Sequence, residues 1–142
     1  MPEEATTPDL LELTRLAFEA ANRRDLDAVI NFYASDAAFE GRMGGDTFEG
    51  RVAIRSFLEE WFGGYEELEL KLEDVRDLGS GVLFAVVFQE GVLAGSAGPG
   101  RVWQREGWAF LWERGLIALH AVLDTDIDEA RAAAERLAES RR

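Results

Sequence analysis

Three ionisable side chains lie close together near the end of the sequence, in the segment LIALHAVLDTD. His120 is the only histidine of the chain. An imidazole titrates near neutral pH, so His120 is a candidate general acid or base. Asp124 and Asp126 offer carboxylates for the same proton transfer. Four residues of strand span roughly 13 Å, so His120 and Asp124 are expected to act together only through a substrate or a water molecule.

Each of these residues also has a structural interpretation. His120 is equally suited to fill a cavity wall or a sheet interface, since imidazoles are commonly part-buried. Asp126 or Asp128 is suited to cap the last helix, which explains an acidic residue there without catalysis. The acids of DTDID are spaced as in a calcium loop, but the loop glycine is absent. The sequence therefore predicts no metal site, and it implies no organic cofactor.

Three amphipathic helices are predicted before and after the first strand. The first begins with Thr7 as its N-cap and Pro8 in the first helical position. Asp25 caps a short second helix, whose apolar stripe includes Tyr33 and which ends near Ser35. The third helix has an apolar stripe at spacings of three and four residues: Ile54, Phe57, Leu58, Trp61 and Phe62.

The second half of the chain changes to the period-two pattern of strands. ELELKL alternates leucine with charged residues, and VLFAVVFQEGVLAG is apolar on both faces, as in a central strand. RVWQREGWAFLW and LIALHAVLD follow as strands joined by a tight hairpin, and a helix ends the chain. This order predicts a single α+β domain over residues 1–142, with a curved antiparallel sheet, the N-terminal helices on one face and a C-terminal helix.

The composition excludes several classes of partner. The chain has 28 acidic and 15 basic residues, a formal charge of −13, so nucleic acid and anionic membranes are not expected partners. Cysteine is absent, which excludes disulfides and thiolate metal sites. No apolar run reaches the roughly 18 residues of a membrane span, and the acidic N-terminus lacks the pattern of a signal peptide. We therefore expect a cytoplasmic protein.

Three segments carry a family resemblance: NRRDLDAVINFYASDAAFE, FEGRVAIRSFL and RGLIALHAVLDTDIDEARAA. Their order resembles the nuclear transport factor 2-like superfamily, and within it the SnoaL-like branch, over nearly the whole chain. The resemblance implies a cone in which a curved sheet and helices on its concave face enclose an apolar cavity for a small apolar molecule. It also implies a homodimer through the outer sheet face. This scaffold carries isomerases, cyclases, dehydratases, epoxide hydrolases and binding modules, so the fold alone does not name a reaction.

The resemblance also tests individual residues. Ketosteroid isomerases carry a catalytic aspartate at the position of Gly41, and a tyrosine on the first helix where the nearest candidate here is Phe18. Strand alternation then turns Phe39 toward the cavity and Glu40 away from it, whereas a one-residue bulge would reverse this and turn Glu40 inward. SnoaL-like cyclases use an aspartate near Asp124 or Asp126, and the register leaves both open. His120, Asp124 and Asp126 are thus the predicted catalytic residues.

Aromatic residues supply the predicted pocket lining. One strand face carries Glu106, Trp108, Phe110 and Trp112, which either line the cavity or form a dimer face. Two functions remain: proton transfer on a small apolar ketone, polyketide or epoxide-like ligand, or a non-catalytic ligand-binding or dimeric interaction module. The predicted ligand-binding residues are Phe18, Phe39, Met43, Phe57, Trp61 and Phe88.

Overall fold

The structure, a computed structural model, describes residues 9–41, 45–95 and 100–142. Within these ranges lie four helices and six strands. None of the helices in these ranges has the length and apolar character needed to cross a bilayer. In chain order the elements are α1 (Leu10–Asn22), α2 (Leu26–Ile30), β1 (Tyr33–Glu40), β2 (Thr47–Glu49), α3 (Arg51–Gly63), β3 (Tyr65–Gly79), β4 (Val82–Leu93), β5 (Arg101–Glu113), β6 (Leu116–Asp124) and α4 (Ile127–Ser140).

The six strands form one curved, unclosed sheet in the order β2-β1-β6-β5-β4-β3. This confirms the predicted α+β class. The expectation of a wholly antiparallel sheet is wrong for one pair, because β1 and β6 are parallel. β6 reaches β1 only after α3 and the meander from β3 to β5, and such a long crossover permits the parallel arrangement that a hairpin does not.

Aspartates begin three of the helices. The Asp9 carboxylate accepts hydrogen bonds from the first turn of α1, while the predicted start at Thr7 and Pro8 lies outside the described residues. Asp25 caps α2 as predicted, and Asp126 rather than Asp128 caps α4.

The short second helix ends earlier than predicted. α2 stops at Ile30, and Tyr33 opens β1 instead of extending the helix. The carbonyl of Phe32 accepts a hydrogen bond of 2.7 Å from the backbone N–H of Ile117 in β6. Sheet pairing with a distant strand therefore overrides the local helical period here.

Two helical layers cover opposite faces of the sheet. The inner face packs against α1, α2 and α3, and the outer face packs in part against α4. β4 is buried on both faces over residues 82–87, as its apolar sequence predicted, while most of its second half is only half-buried. The sequence left open whether the aromatic face of β5 lines the cavity or forms a dimer face. In the structure these aromatic residues belong to the inner core. These are Trp108, Phe110 and Trp112.

Candidate ligand-binding site

A cavity of about 540 Å³ lies between α3 and the inner face of the sheet, and we call it the aromatic cavity. Most of its wall is apolar, and its polar side is formed by two carboxylates and two amides. The described residues that line it are Phe39, Gly41, Phe57, Glu60, Trp61, Gln89, Gln104, Glu106, Trp108 and Val122.

The periods of the surrounding elements explain which side chains reach this cavity. In α3, Phe57, Glu60 and Trp61 are spaced by three and four residues and so share one helical face. In β5, Glu106 and Trp108 alternate with outward residues and so share the inner sheet face. A rigid helix and a paired strand thus hold the two main walls.

Glu106 is the polar residue most deeply placed in this wall. It is only 4% exposed. Its carboxylate accepts a hydrogen bond of 2.9 Å from the indole Nε1 of Trp108 and another from the amide of Gln104. The sequence analysis did not select Glu106 as a site residue. The available signal was a carboxylate on a strand face that is otherwise occupied by tryptophan and phenylalanine.

His120 lies behind the aromatic wall. Its imidazole is 3% exposed and packs against the rings of Phe39, Trp108 and Phe110, with centroid separations of 4.2, 4.7 and 4.4 Å. The Nδ1 atom is 2.8 Å from the hydroxyl of Tyr33, while Nε2 has no hydrogen-bond partner in the ranges that the structure describes. Burial among apolar groups lowers the pKa of His120 to about 3 and raises the pKa of Tyr33 above its usual value. The imidazole is therefore neutral at physiological pH.

A second, much smaller cavity of about 40 Å³ touches His120, and we call it the inner cavity. It lies among α1, α2, α3 and the inner sheet face. Trp61 and Trp108 line both cavities and so separate them. The other lining residues are Ala17, Phe18, Ala21, Val29, Tyr33, Leu58, Phe62, Leu70, Phe110 and Ile117.

The predicted ligand-binding residues fall into separate places. Phe39, Phe57 and Trp61 line the aromatic cavity, and Phe18 lines only the inner one. Phe88 lies on the outer face, because Gln89 is the β4 residue that points inward at this level. The Phe88 ring stacks on Trp103 and lies under the guanidinium of Arg105, away from either cavity. Met43 lies outside the described residues.

The structure does not gather the predicted catalytic residues in one cavity. The Asp126 carboxylate accepts from the backbone N–H of Glu129 at the start of α4. The Asp124 carboxylate accepts in turn from the backbone N–H of Asp126 at 2.9 Å. Asp124 also lines a separate recess of about 350 Å³ on the outer side, together with Glu40. His120 is brought to Tyr33 instead, a partner that the sequence analysis had assigned to a helix.

No metal centre is visible in the part of the chain that the structure describes, because nowhere in it do three acidic or histidine side chains converge as ion ligands. Glu60 and Glu106 both face the aromatic cavity, but the remaining polar groups there are amides.

Solved structures with the same fold are numerous, although no curated protein matches the sequence. SalBIII, an epoxide hydrolase/cyclase-like enzyme of pyran ring formation in salinomycin, is 20% identical; the match has a TM-score of 0.72 and covers 80% of this chain and 88% of that one. A protein of ketosteroid isomerase-like fold from Catenulispora acidiphila, in complex with trimethylamine, is 14% identical, with a TM-score of 0.66 and coverages of 82% and 85%.

RV0760c from Mycobacterium tuberculosis, in complex with estradiol-17beta-hemisuccinate, is 13% identical, with a TM-score of 0.69 and coverages of 79% and 90%. At such identities these likenesses establish the fold and not the activity. The family itself is shown by the sequence, since the SnoaL-like domain matches residues 14–120. The chain is therefore a member of the SnoaL-like domain family, within the nuclear transport factor 2-like fold.

Proposed function

We propose that this protein binds a small, largely apolar molecule in the aromatic cavity. The observation that carries the proposal is the combination of a volume of about 540 Å³ with walls of Phe39, Phe57, Trp61 and Trp108. Cavities of this size and lining are typical of small-molecule sites, in which a few polar groups set the orientation of an apolar ligand. Estradiol hemisuccinate and trimethylamine in two structural neighbours support small-molecule binding on this scaffold.

Filling the cavity tests this proposal. Val122 lies on its wall, so Val122→Phe should occupy the space that a ligand needs. We expect the wild type to bind estradiol hemisuccinate or p-cresol with a change in tryptophan fluorescence, since Trp61 and Trp108 line the cavity. The variant should bind at least tenfold more weakly.

The matched control is Val52→Phe, at a position that is 84% exposed on α3. It should bind like the wild type. Equal affinity in wild type and Val122→Phe would place the ligand elsewhere and would refute the proposal.

Proton transfer of the isomerase or cyclase type is the second candidate. The observation that favours it is the nearly buried Glu106 carboxylate within an aromatic wall, where a base is shielded from water. In this scheme Glu106 removes a proton from the carbon next to a ketone and returns it at the γ carbon. The neutral, buried His120 orients the wall through Trp108, against which its ring packs.

The reaction is testable with a β,γ-unsaturated cyclic ketone, whose conversion to the conjugated ketone changes its absorbance. Glu106→Gln should remove the activity while ligand binding is kept, because the amide retains the shape of the side chain. Absence of turnover by the wild type would leave the non-catalytic function, and full turnover by Glu106→Gln would exclude Glu106 as the base. The assignment of Asp124 or Asp126 to the chemistry stays a prediction, which Asp124→Asn and Asp126→Asn test in the same assay.

We also propose that the protein forms a homodimer through the part of the outer sheet face that α4 leaves uncovered. Trp103 is 65% exposed there and stacks on Phe88. Around them Arg105 pairs with Glu73, and Arg101 pairs with glutamates. A surface that carries both charges around an aromatic centre is able to complement a second copy of itself across a twofold axis.

A further inference from the structure

The aromatic cavity and the inner cavity meet at a wall of two indoles, Trp61 and Trp108. On the outer side of this wall the lining includes Glu60, Glu106 and two amides. On the inner side it is apolar apart from the Tyr33 hydroxyl and the His120 ring. Any molecule that extended past these two indoles into the inner cavity would meet the Tyr33 hydroxyl and the His120 ring as the polar groups there.

The imidazole, which lines the inner cavity, has an unsatisfied hydrogen-bonding atom. His120 is only 3% exposed, and its Nδ1 is hydrogen-bonded to the Tyr33 hydroxyl. Nε2 has no partner among the described residues. A buried polar atom without a partner is unfavourable, so a ligand group that hydrogen-bonded to Nε2 would recover part of this energy. The neutral ring offers either an N–H donor or a lone pair at Nε2, depending on its tautomer.

The two indoles differ in their freedom to move. Trp108 is 2% exposed, and its Nε1 donates a hydrogen bond to Glu106. Packing and this hydrogen bond therefore hold its ring in place. Trp61 is only half-buried, and the empty volume of the aromatic cavity lies directly beside it. Its ring packs against the rings of Phe57, Phe62 and Trp108 at 6.1, 5.1 and 6.1 Å, and among the described residues none hydrogen-bonds to its indole, so a turn of Trp61 costs ring contacts but no hydrogen bond.

We infer that the two cavities become one binding site when Trp61 turns into the aromatic cavity, and that the ligand is an apolar molecule ending in a hydroxyl or carbonyl group, which hydrogen-bonds to Nε2 of His120. This inference rests on the proposed function and adds the chemical class of the ligand and the place of its polar end. Trp61 is in this view a specificity-determining residue, since its position decides whether the imidazole is reached.

The single histidine makes the inference directly measurable. In protein labelled with ¹⁵N in the imidazole, the two ring nitrogen signals belong to His120 alone. We would titrate this protein with p-cresol and with p-xylene, which share nearly the same shape and differ in one hydroxyl group. p-Cresol should move the Nε2 signal by several parts per million, whereas p-xylene should leave it nearly in place. Tryptophan fluorescence would report binding of both molecules independently.

Two variants separate hydrogen bonding from shape. His120→Phe removes Nε2 and should lower the preference for p-cresol over p-xylene about tenfold, as expected for one hydrogen bond to a buried group. Ala21→Leu fills the inner cavity, which Ala21 lines, and should lower the same preference with the imidazole left in place. The control Ala53→Leu, at another half-buried helical position, should keep the preference.

The outcomes distinguish this inference from the proposed function. Binding of both molecules by fluorescence, without any change at Nε2, would overturn the inference and leave the aromatic cavity as a ligand site. An unchanged preference in Ala21→Leu, provided that the variant folds, would overturn it as well. If neither these two molecules nor estradiol hemisuccinate bound, both the inference and the proposed function would fail.

Discussion

At the scale of single residues, His120 connects the stability of the fold to pH. Its pKa is about 3 in the folded protein and near 6.5 in an unfolded chain, so the unfolded state binds more protons between these values. The contribution of His120 to stability is therefore complete above about pH 6.5 and is lost as the pH falls toward 3. Between pH 7 and pH 5 we expect the imidazole to account for a loss of about 2 kcal/mol in the free energy of unfolding.

Urea unfolding at the two pH values measures this loss. His120→Phe keeps a ring at the same place without a titrating group. Over the same pH interval, the loss in its free energy of unfolding should be about 2 kcal/mol smaller than that of the wild type. Comparing each protein with itself removes any general instability of the variant. If the wild type and His120→Phe lost the same amount, the low pKa of the buried imidazole would be refuted.

How well single residues could be predicted from the sequence depends on the range of the interactions involved. The outward turn of Glu40 and the inward turn of Phe39 follow from strand alternation and agree with the structure. The contact between Tyr33 and His120 joins residues 87 positions apart and depends on which strand lies beside β1. Glu106 was visible as a carboxylate on an aromatic strand face, but no local pattern indicates that a cavity opens beside it.

At the scale of elements, the start of α4 separates a structural role of Asp126 from a catalytic one. Its carboxylate caps the helix by accepting from the N–H of Glu129. Asp126→Ala should lower the free energy of unfolding by about 1 kcal/mol, while Asp126→Asn should change it little, because asparagine caps helices as well as aspartate does. Thermal unfolding measures both. A loss of turnover in Asp126→Asn at unchanged stability would instead support the predicted catalytic role.

The contact between α4 and β5 depends on a residue without a side chain. A Cβ atom built on Gly107 would lie 2.3 Å from the Cβ of Ala130 and 2.9 Å from the Phe84 ring. Gly107→Ala should therefore push α4 away from the sheet and lower the free energy of unfolding by about 1–3 kcal/mol.

Gly63→Ala is the matched control for this substitution. A Cβ there would meet nothing within 4 Å. The control should leave the free energy of unfolding unchanged or slightly higher, because alanine restricts the unfolded chain. Denaturant unfolding of the two variants measures the difference, and equal stability would show that α4 tolerates displacement from β5.

The elements themselves were largely predictable, whereas their pairing was not. The apolar stripe of α3 and the two-sided apolar character of β4 predicted a helix and a central strand, and both are present. These patterns come from neighbours within a few positions. The parallel pairing of β1 with β6, and the early end of α2 that it enforces, depend on a strand more than 70 residues further along the chain.

At the scale of the whole molecule, the two faces of the sheet are covered differently. Both cavities lie on the inner face, the aromatic cavity beside α3 and the inner cavity among α1, α2 and α3. The outer face is covered by α4 at the end where Phe84 and Val86 lie. Its other end presents Trp103, Phe88 and the surrounding ion pairs to solvent. An exposed tryptophan on a sheet face is typical of an interface, which is why we propose a dimer there.

Substitution at the centre of this surface tests the dimer. Light scattering on the purified protein should give twice the 15.8 kDa of one chain. Trp103→Glu should shift the mass to that of a single chain, because it removes the aromatic centre and brings two like charges together near the twofold axis. Val52→Glu changes an exposed apolar residue of α3 in the same way, away from this surface, and should stay dimeric.

A wild type of single-chain mass, or a Trp103→Glu variant that kept the double mass, would contradict the proposed interface. Ligand binding should survive in Trp103→Glu, since the aromatic cavity is on the opposite face of the sheet.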